Sequence, residues 1–183
     1  CRSACPCGDR RTIDSAAMDI LFSGGLGHIG SALIREPKLL EVAQSIDVID
    51  DLSSERYASL YHLPADRPLS FRQIQVQDLC ASDLDRVDAI VHLAAQTDAT
   101  ASLTQRERVF ANNLGATSHL AALASATDTR FIFASTTSVY GSQSSRVDEE
   151  CDELVPQSPY AECKLQEEAA IHDLTAQGLN ATI

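Results

Sequence analysis

The fold of this chain is decided by a short glycine-rich segment, Ser23-Gly24-Gly25-Leu26-Gly27-His28-Ile29-Gly30. Three of its glycines, Gly24, Gly27 and Gly30, stand three residues apart. In a dinucleotide-binding turn the first such glycine permits the sharp bend, the second lets the backbone approach a pyrophosphate, and the third lets the helix pack close to the strand. The amides that begin the helix, those of His28 and Ile29 among them, then face the phosphates.

A glycine pattern alone is weak evidence, because glycine also serves ordinary turns. Here the segment follows a predicted strand, Asp19–Phe22, and opens a predicted helix, Gly27–Arg35. Pro37 is expected to break or bend the chain that follows this helix. The strand before the segment and the helix after it make the segment a strong prediction of a dinucleotide site.

Apolar runs and helical stretches alternate along the rest of the chain. This alternation predicts an α/β fold of the Rossmann type, a doubly wound parallel sheet with helices on both faces. Ala89–Leu93, apolar at successive positions, is typical of a strand buried on both faces. The further predicted strands are Ile46–Ile49, Ile74–Val76, Arg130–Ala134 and Leu179–Ile183, and the further predicted helices are Arg106–Ala124 and Ser158–Gln177. Ser158 is the expected N-cap of the last helix, Pro159 its first residue, and Gly178 its end.

Charge and composition exclude several classes of function. The formal net charge of the chain is −12, which argues against nucleic acid and against an anionic membrane surface as partners. The sequence has no apolar run as long as a membrane span and no secretory pattern at its start. We therefore expect a soluble, cytoplasmic protein.

The first residues, 1–17, have no apolar periodicity, and we expect a disordered leader or tag there, ahead of Met18, the single methionine. No metal site is expected, because three bunched thiols without a nearby fourth ligand make a poor zinc site. The other three cysteines are scattered like ordinary reduced thiols. The bunched cysteines are Cys1, Cys5 and Cys7, and the scattered ones are Cys80, Cys151 and Cys163.

Asp50 ends the second predicted strand about twenty residues after Gly30, where a carboxylate meets the ribose hydroxyls of an adenosine. A carboxylate there favours NAD, because it would repel a 2′-phosphate. Asp51 is adjacent and shares the assignment. The alternative is that both acids simply end a strand in solvent.

Tyr160 and Lys164 lie four residues apart on one face of a predicted helix. A nearby ammonium stabilises a phenolate and makes the tyrosine a usable acid or base. The hydroxyl-rich loop 135–141 follows the fifth predicted strand, at the sheet edge where ligands bind in such folds. The alternatives are a chance pair and an ordinary Ser/Thr turn.

The sequence resembles the extended short-chain dehydrogenases/reductases of the NAD-dependent epimerase/dehydratase family, from about Met18 to its end. The landmarks are the glycine segment, Val48-Ile49-Asp50-Asp51-Leu52-Ser53, Asp88-Ala89-Ile90-Val91-His92-Leu93-Ala94-Ala95, Asn112-Asn113-Leu114-Gly115-Ala116-Thr117, Ser135-Thr136-Thr137-Ser138-Val139-Tyr140-Gly141, and Pro159-Tyr160 with Lys164.

The resemblance implies a catalytic set. Tyr160 would move the proton of a sugar hydroxyl while NAD accepts the hydride from the same carbon. Lys164 would bind the nicotinamide ribose and tune Tyr160, and Thr136 would hold the sugar hydroxyl. The implied activity is that of a nucleotide-sugar epimerase.

The resemblance also implies the remaining cofactor contacts. Asp78 or Leu79 would lie against adenine, and Asn113 would support the backbone of the active site. Ala94 and Ala95 would line the cofactor channel, where side chains must be small, and Leu93 is a further expected cofactor contact. Residues 18–183 would then be an NAD-binding domain that lacks the family's C-terminal substrate portion.

Two departures bear on the reaction. Family dehydratases carry an Asp-Glu pair directly after the catalytic threonine, whereas this chain has Thr137 and Ser138, which argues against a 4,6-dehydratase. Cys163 stands where relatives usually have serine.

A nucleotide-linked or carbonyl reductase and a non-catalytic NAD-binding module remain as alternatives to the epimerase. A homodimer through a four-helix contact of Arg106–Ala124 and Ser158–Gln177 is a further expectation from the family.

Overall fold

The computed structural model describes residues 17–64, 68–97, 105–144 and 146–183. The predicted leader, apart from Ala17, lies outside the described residues, and so do Cys1, Cys5 and Cys7. Within the described parts of the chain, no helix is both long and apolar enough to cross a bilayer.

The strands form one six-stranded parallel sheet in the order β3-β2-β1-β4-β5-β6. This order confirms the predicted doubly wound sheet. The strands are β1 (Met18–Ser23), β2 (Ala43–Asp50), β3 (Leu69–Gln73), β4 (Ala89–His92), β5 (Arg130–Phe133) and β6 (Ala181–Thr182). The α-helices are α1 (His28–Leu33), α2 (Pro37–Val42), α3 (Arg106–Thr127) and α4 (Pro159–Thr175).

Two apolar clusters cover the two faces of the sheet. Because successive side chains of a strand point to opposite faces, Ile20 and Phe22 of β1 enter one cluster and Leu21 enters the other. The first cluster packs under α1 and α2, and the second packs under α3 and α4. Helices therefore lie on both faces, and β1 contributes to both cores.

The predicted third strand, Ile74–Val76, was wrong. The strand lies earlier, at Leu69–Gln73, where apolar and polar residues alternate as in an edge strand with one covered face. It stops at Gln73 because that residue pairs with Asp50, the last residue of β2, so Ile74 has no strand partner. Val76 instead begins a short 3₁₀ turn, Val76–Asp78.

Smaller corrections concern the ends of other elements. Pro37 does not simply break the chain: it takes the first position of α2, where its missing N–H costs nothing. The predicted last strand shrinks to Ala181–Thr182. The caps of α4 are as predicted, since the Ser158 hydroxyl accepts a hydrogen bond from the Ala161 amide at 3.2 Å and Gly178 has a positive φ of 114° just past the helix.

The glycine turn depends on two very close backbone approaches. Gly24 has a φ of +67°, and a Cβ there would lie 2.5 Å from the Ala94 amide nitrogen. A Cβ at Gly30 would lie 2.6 Å from the Gly25 Cα. The third glycine therefore lets α1 pack against the turn itself, rather than against the strand as the sequence suggested.

Replacing Gly24 with Ala should lower the free energy of unfolding by about 2 kcal/mol or more, because the new Cβ adds left-handed strain and a backbone clash. Gly115→Ala is the matched control, since Gly115 lies inside α3 and its Cβ would meet nothing within 4 Å. That variant should gain up to about 1 kcal/mol from helix propensity. Urea unfolding measures the free energy of unfolding of both variants. Equal changes of the same sign in the two variants would contradict the inference that Gly24 is required by the close backbone approach.

Candidate active site

A cavity of about 390 Å³ opens at the carboxyl ends of the central strands. β1 and β4 are neighbours there although they are not consecutive, so the cavity lies at the switch point where ligands bind in doubly wound folds. Most of the sequence-predicted site residues line it. They are Gly24, Gly27, His28, Ile29, Gly30, Asp50, Asp51, Leu93, Ala94, Ala95, Tyr160 and Lys164.

The glycine turn is held in place by Asp50. Its carboxylate accepts hydrogen bonds from the Leu26 amide at 3.1 Å and from the Leu52 amide at 2.9 Å. The Asp51 carboxylate accepts only a local bond from the Ser53 amide among the bonds described, and its side chain is exposed. Asp50 thus orients the turn and faces the cavity at the same time.

The turn presents free amides to the cavity. His28 and Ile29 occupy the first positions of α1, whose amides have no partner within a helix. Gly27, the N-cap residue, offers no side chain to cap them. A small anionic group can therefore approach the backbone at this point without displacing a side chain.

The two residues expected beside adenine have different surroundings. Asp78 is exposed and lines a shallow depression that adjoins the cavity and shares Asp51 with it. The Leu79 side chain is only 3% exposed and belongs to the core under α3, so the structure does not bring it to the cavity. The cavity wall in this region is formed by Gln75, Val76 and Gln77.

Asn113 lies behind the cavity rather than in it. Its side chain is fully buried, accepts a hydrogen bond from the Gln96 amide at 2.8 Å and donates one to the Gln96 carbonyl at 3.1 Å. Gln96 itself lines the cavity. The amide side chain of α3 therefore fixes the loop that follows β4.

Tyr160 is half-buried in the first turn of α4 and faces Thr136. Burial raises the pKa of the Tyr160 hydroxyl above its usual value, and the negative charge of Glu167 raises it further, whereas the hydrogen bond with Thr136 lowers it. Thr136 also caps the 3₁₀ turn Thr137–Tyr140 by accepting from the Ser138 amide at 3.2 Å. The hydroxyls of residues 137 and 138 are exposed.

Lys164 is 4% exposed, and its ammonium group has three neighbours. Its Nζ donates to the Ala134 carbonyl at 3.3 Å, lies 4.2 Å from the centre of the Phe133 ring, and lies 3.3 Å from Glu167 Oε2. The carbonyl, the ring and the carboxylate replace water around a buried charge.

Sequence reasoning missed the buried polar residues behind this lysine. Ser23, His92, Thr117 and Glu167 are each at most 1% exposed and contact one another in a row. The signals were a histidine inside an apolar strand and a glutamate three residues after Lys164. Burial lowers the pKa of His92 to about 3, helped by the positive charge of Lys164, so its ring is neutral at neutral pH.

Cys163 and metal chemistry offer no alternative site in the described residues. Burial, and then the charge of Glu167, raise the pKa of the Cys163 thiol to about 11, so it stays protonated and unreactive at neutral pH. Among the described residues no cluster of three His, Cys, Asp or Glu side chains is placed to hold a metal ion.

Known proteins match both the sequence and the fold. The family model described as NAD dependent epimerase/dehydratase matches residues 20–183. UDP-glucose 4-epimerase 2 of Oryza sativa subsp. japonica is 27% identical over 90% of this chain and 42% of its own length.

Solved structures agree with this match. A UDP-N-acetylglucosamine 4-epimerase from Methanobrevibacter ruminantium M1 superposes with a TM-score of 0.81 at 27% identity, over 91% of this chain and 53% of its own. A dTDP-glucose 4,6-dehydratase from Streptomyces venezuelae, solved with NAD bound, superposes with a TM-score of 0.76 at 30% identity, over 90% of this chain and 54% of its own. The chain spans about half the length of these relatives.

The pKa of His92 generates a pH dependence of stability. The unfolded chain binds a proton at His92 below about pH 6.5, whereas the folded chain binds it only near pH 3. Acid therefore favours unfolding, and between these values stability rises with pH by at most about 1.4 kcal/mol per unit. In His92→Gln, the loss of stability between pH 6.5 and 4.5 should be smaller by roughly 2 kcal/mol.

The control for this measurement is His172→Gln, because His172 is exposed on α4. Urea unfolding of this variant should retain the wild-type dependence on pH. Parallel pH curves for the wild-type protein and His92→Gln would contradict the assignment of a buried neutral His92.

Proposed function

Because the chain belongs to the NAD dependent epimerase/dehydratase family, we propose that it forms the cofactor-binding and catalytic part of a nucleotide-sugar epimerase. The observation that carries the proposal is one continuous cavity bounded by the glycine turn, by Asp50 and by the pair of Tyr160 and Lys164. A diphosphate, a ribose and a reacting alcohol can all be placed along it.

The residues present fit NAD. The amides of His28 and Ile29 would hold the diphosphate, and Asp50 with Asp51 would hold the adenosine ribose hydroxyls. Ala94 and Ala95 leave room for the cofactor beside the carboxyl end of β4. When bound, NAD supplies the hydride acceptor that this chemistry needs.

Tyr160 would act as the acid and base of the reaction. It takes the proton of a sugar hydroxyl as the hydride leaves the same carbon, and it returns the proton when the hydride comes back to the other face. Since burial raises the pKa of Tyr160, it needs a nearby positive charge to serve as a base, and Lys164, one turn further along α4, would supply that charge. Thr136, whose hydroxyl is one of the groups that lower the pKa of Tyr160, would hold the same sugar hydroxyl.

The loop after β5 favours epimerisation over dehydration. A dehydration needs a further acid and base to remove water, and the side chains that follow Thr136 are the exposed hydroxyls of Thr137 and Ser138. The family's remaining half, which in relatives lies beyond this match, would supply most of the contacts to the nucleotide sugar.

Tyr160→Phe should reduce kcat at least about 100-fold, the usual contribution of a positioned general acid–base group. The assay uses the longest product of the gene that contains this sequence, and follows the interconversion of UDP-hexose epimers. Tyr61→Phe, at a tyrosine that is 72% exposed, should leave kcat unchanged. Steady accumulation of NADH with substrate would indicate a dehydrogenase instead of an epimerase. NAD binding without any turnover would indicate a non-catalytic module.

NAD should bind at least about tenfold more tightly than NADP, because the carboxylates of Asp50 and Asp51, which line the cavity, would repel a 2′-phosphate bound beside them. Titration calorimetry measures both affinities. Asp51→Asn should reduce the ratio of NAD affinity to NADP affinity and leave the glycine turn intact. Asp50→Asn should also weaken the binding of NAD itself, because the Asp50 carboxylate holds the amides of Leu26 and Leu52. Equal affinities of the wild-type protein for both cofactors would remove the role given to Asp50.

A further inference from the structure

A row of buried polar side chains connects the end of β1 with Lys164. Ser23 Oγ lies 2.6 Å from His92 Nδ1, and His92 Nε2 lies 2.9 Å from Thr117 Oγ1. Thr117 donates a hydrogen bond to Glu167 Oε1, and Glu167 Oε2 lies 3.3 Å from Lys164 Nζ. Four elements, β1, β4, α3 and α4, each contribute to this polar row.

With Glu167 ionised beside Lys164, counting protons gives a direction to every hydrogen bond in the polar row. The single hydroxyl proton of Thr117 goes to Glu167, so Thr117 must accept from His92 Nε2–H. A neutral histidine carries one ring proton, so Nδ1 is bare and accepts from the Ser23 hydroxyl. All donors therefore point the same way, towards the carboxylate of Glu167.

The polar row is not a path for protons to solvent. Its far end, Ser23, is completely buried, and the His92 ring packs near the Phe131 and Phe133 rings, at centroid distances of 5.7 and 6.0 Å. A chain of donors that ends in a closed core can only stabilise the charge at its other end.

That charge is the carboxylate of Glu167, which is fully buried. Its Oε2 has no hydrogen-bond donor within the described structure and only the ammonium of Lys164 beside it. An unpaired buried carboxylate is costly, so the oxygen is best satisfied with Lys164 held at this position. Lys164 in turn has no other carboxylate among its described partners.

We propose that Glu167 is a positioning residue, whose carboxylate, bonded to Thr117 and through it to His92 and Ser23, holds the ammonium of Lys164 at the wall of the cavity. Ser23 directly precedes Gly24, so the same polar row ties the phosphate-binding turn to the Tyr160–Lys164 pair. The functional value of this placement rests on the proposed role of Tyr160 and Lys164 in catalysis.

Glu167 also sets the electrostatic balance at Tyr160. The groups that face Glu167 are Lys164 and Glu168 on its own helix, Thr117 of α3 and, beyond it, His92 of β4. The negative charge of the Glu167 carboxylate is one of the causes that raise the pKa of Tyr160. Removing that charge should therefore lower the pKa of Tyr160.

The donor direction can be tested in the wild-type protein without any variant. Nitrogen-15 NMR of histidine-labelled protein distinguishes the two neutral tautomers, and His92→Gln identifies the resonance among the five histidines. We expect the proton on Nε2 at neutral pH. A proton on Nδ1 would reverse every bond in the polar row and would overturn the proposal.

The charge effect is tested by titrating Tyr160, with Tyr160→Phe spectra subtracted to isolate its phenolate absorbance. Glu167→Gln should move the Tyr160 curve to lower pH. Thr117→Val keeps the carboxylate and its contact with Lys164, so it should leave the curve in place, as should Glu168→Gln, whose carboxylate contacts Ser135 instead. Circular dichroism checks that each variant stays folded across the pH range of the titration.

A Tyr160 curve that stays in place or moves to higher pH in Glu167→Gln would refute the proposal. A shift of the same size in Thr117→Val, which retains the carboxylate, would show that the charge of Glu167 is not the cause, and would refute the proposal as well. Neither measurement needs substrate or NAD, so this proposal can fail while the epimerase proposal stands, and the reverse.

Discussion

The close approach of the Gly24 backbone to Ala94 is the constraint on which the rest of the site depends. Gly24 leaves β1 with a positive φ and passes so near the end of β4 that no side chain fits between them. This passage brings the start of α1 over the switch point of the sheet. The position of the His28 and Ile29 amides, the Asp50 contacts and the wall formed by Ala94 and Ala95 all follow from that path.

Much of the fold could be predicted because its signals are local. Glycine spacing, the alternation of strands and helices, and the Ser158-Pro159 start of α4 each depend on neighbouring residues. The misplaced third strand shows where local signals end. Ile74 and Val76 look like a strand, but pairing is decided by where β2 ends, at Asp50, and that is a long-range property.

The residues of the candidate site likewise divide into those with a local sequence signal and those placed by long-range contacts. Residues on the glycine turn and on the first turn of α4 were predicted from spacing, and the structure brings them to one cavity. The side chain of Leu79 lies in the core instead, directly after the short 3₁₀ turn Val76–Asp78. The polar residues behind Lys164 come from four separate elements, so no spacing in the sequence could have grouped them.

The position of β1 between two neighbouring strands and two apolar clusters has a consequence for local unfolding. β1 is paired with β2 on one side and with β4 on the other, and its side chains alternate between the two apolar clusters. Neither half of the sheet can open on its own without stripping this strand from the other half. Local opening should therefore be confined to the outer strands, and the central strand should exchange its amide hydrogens only through global unfolding.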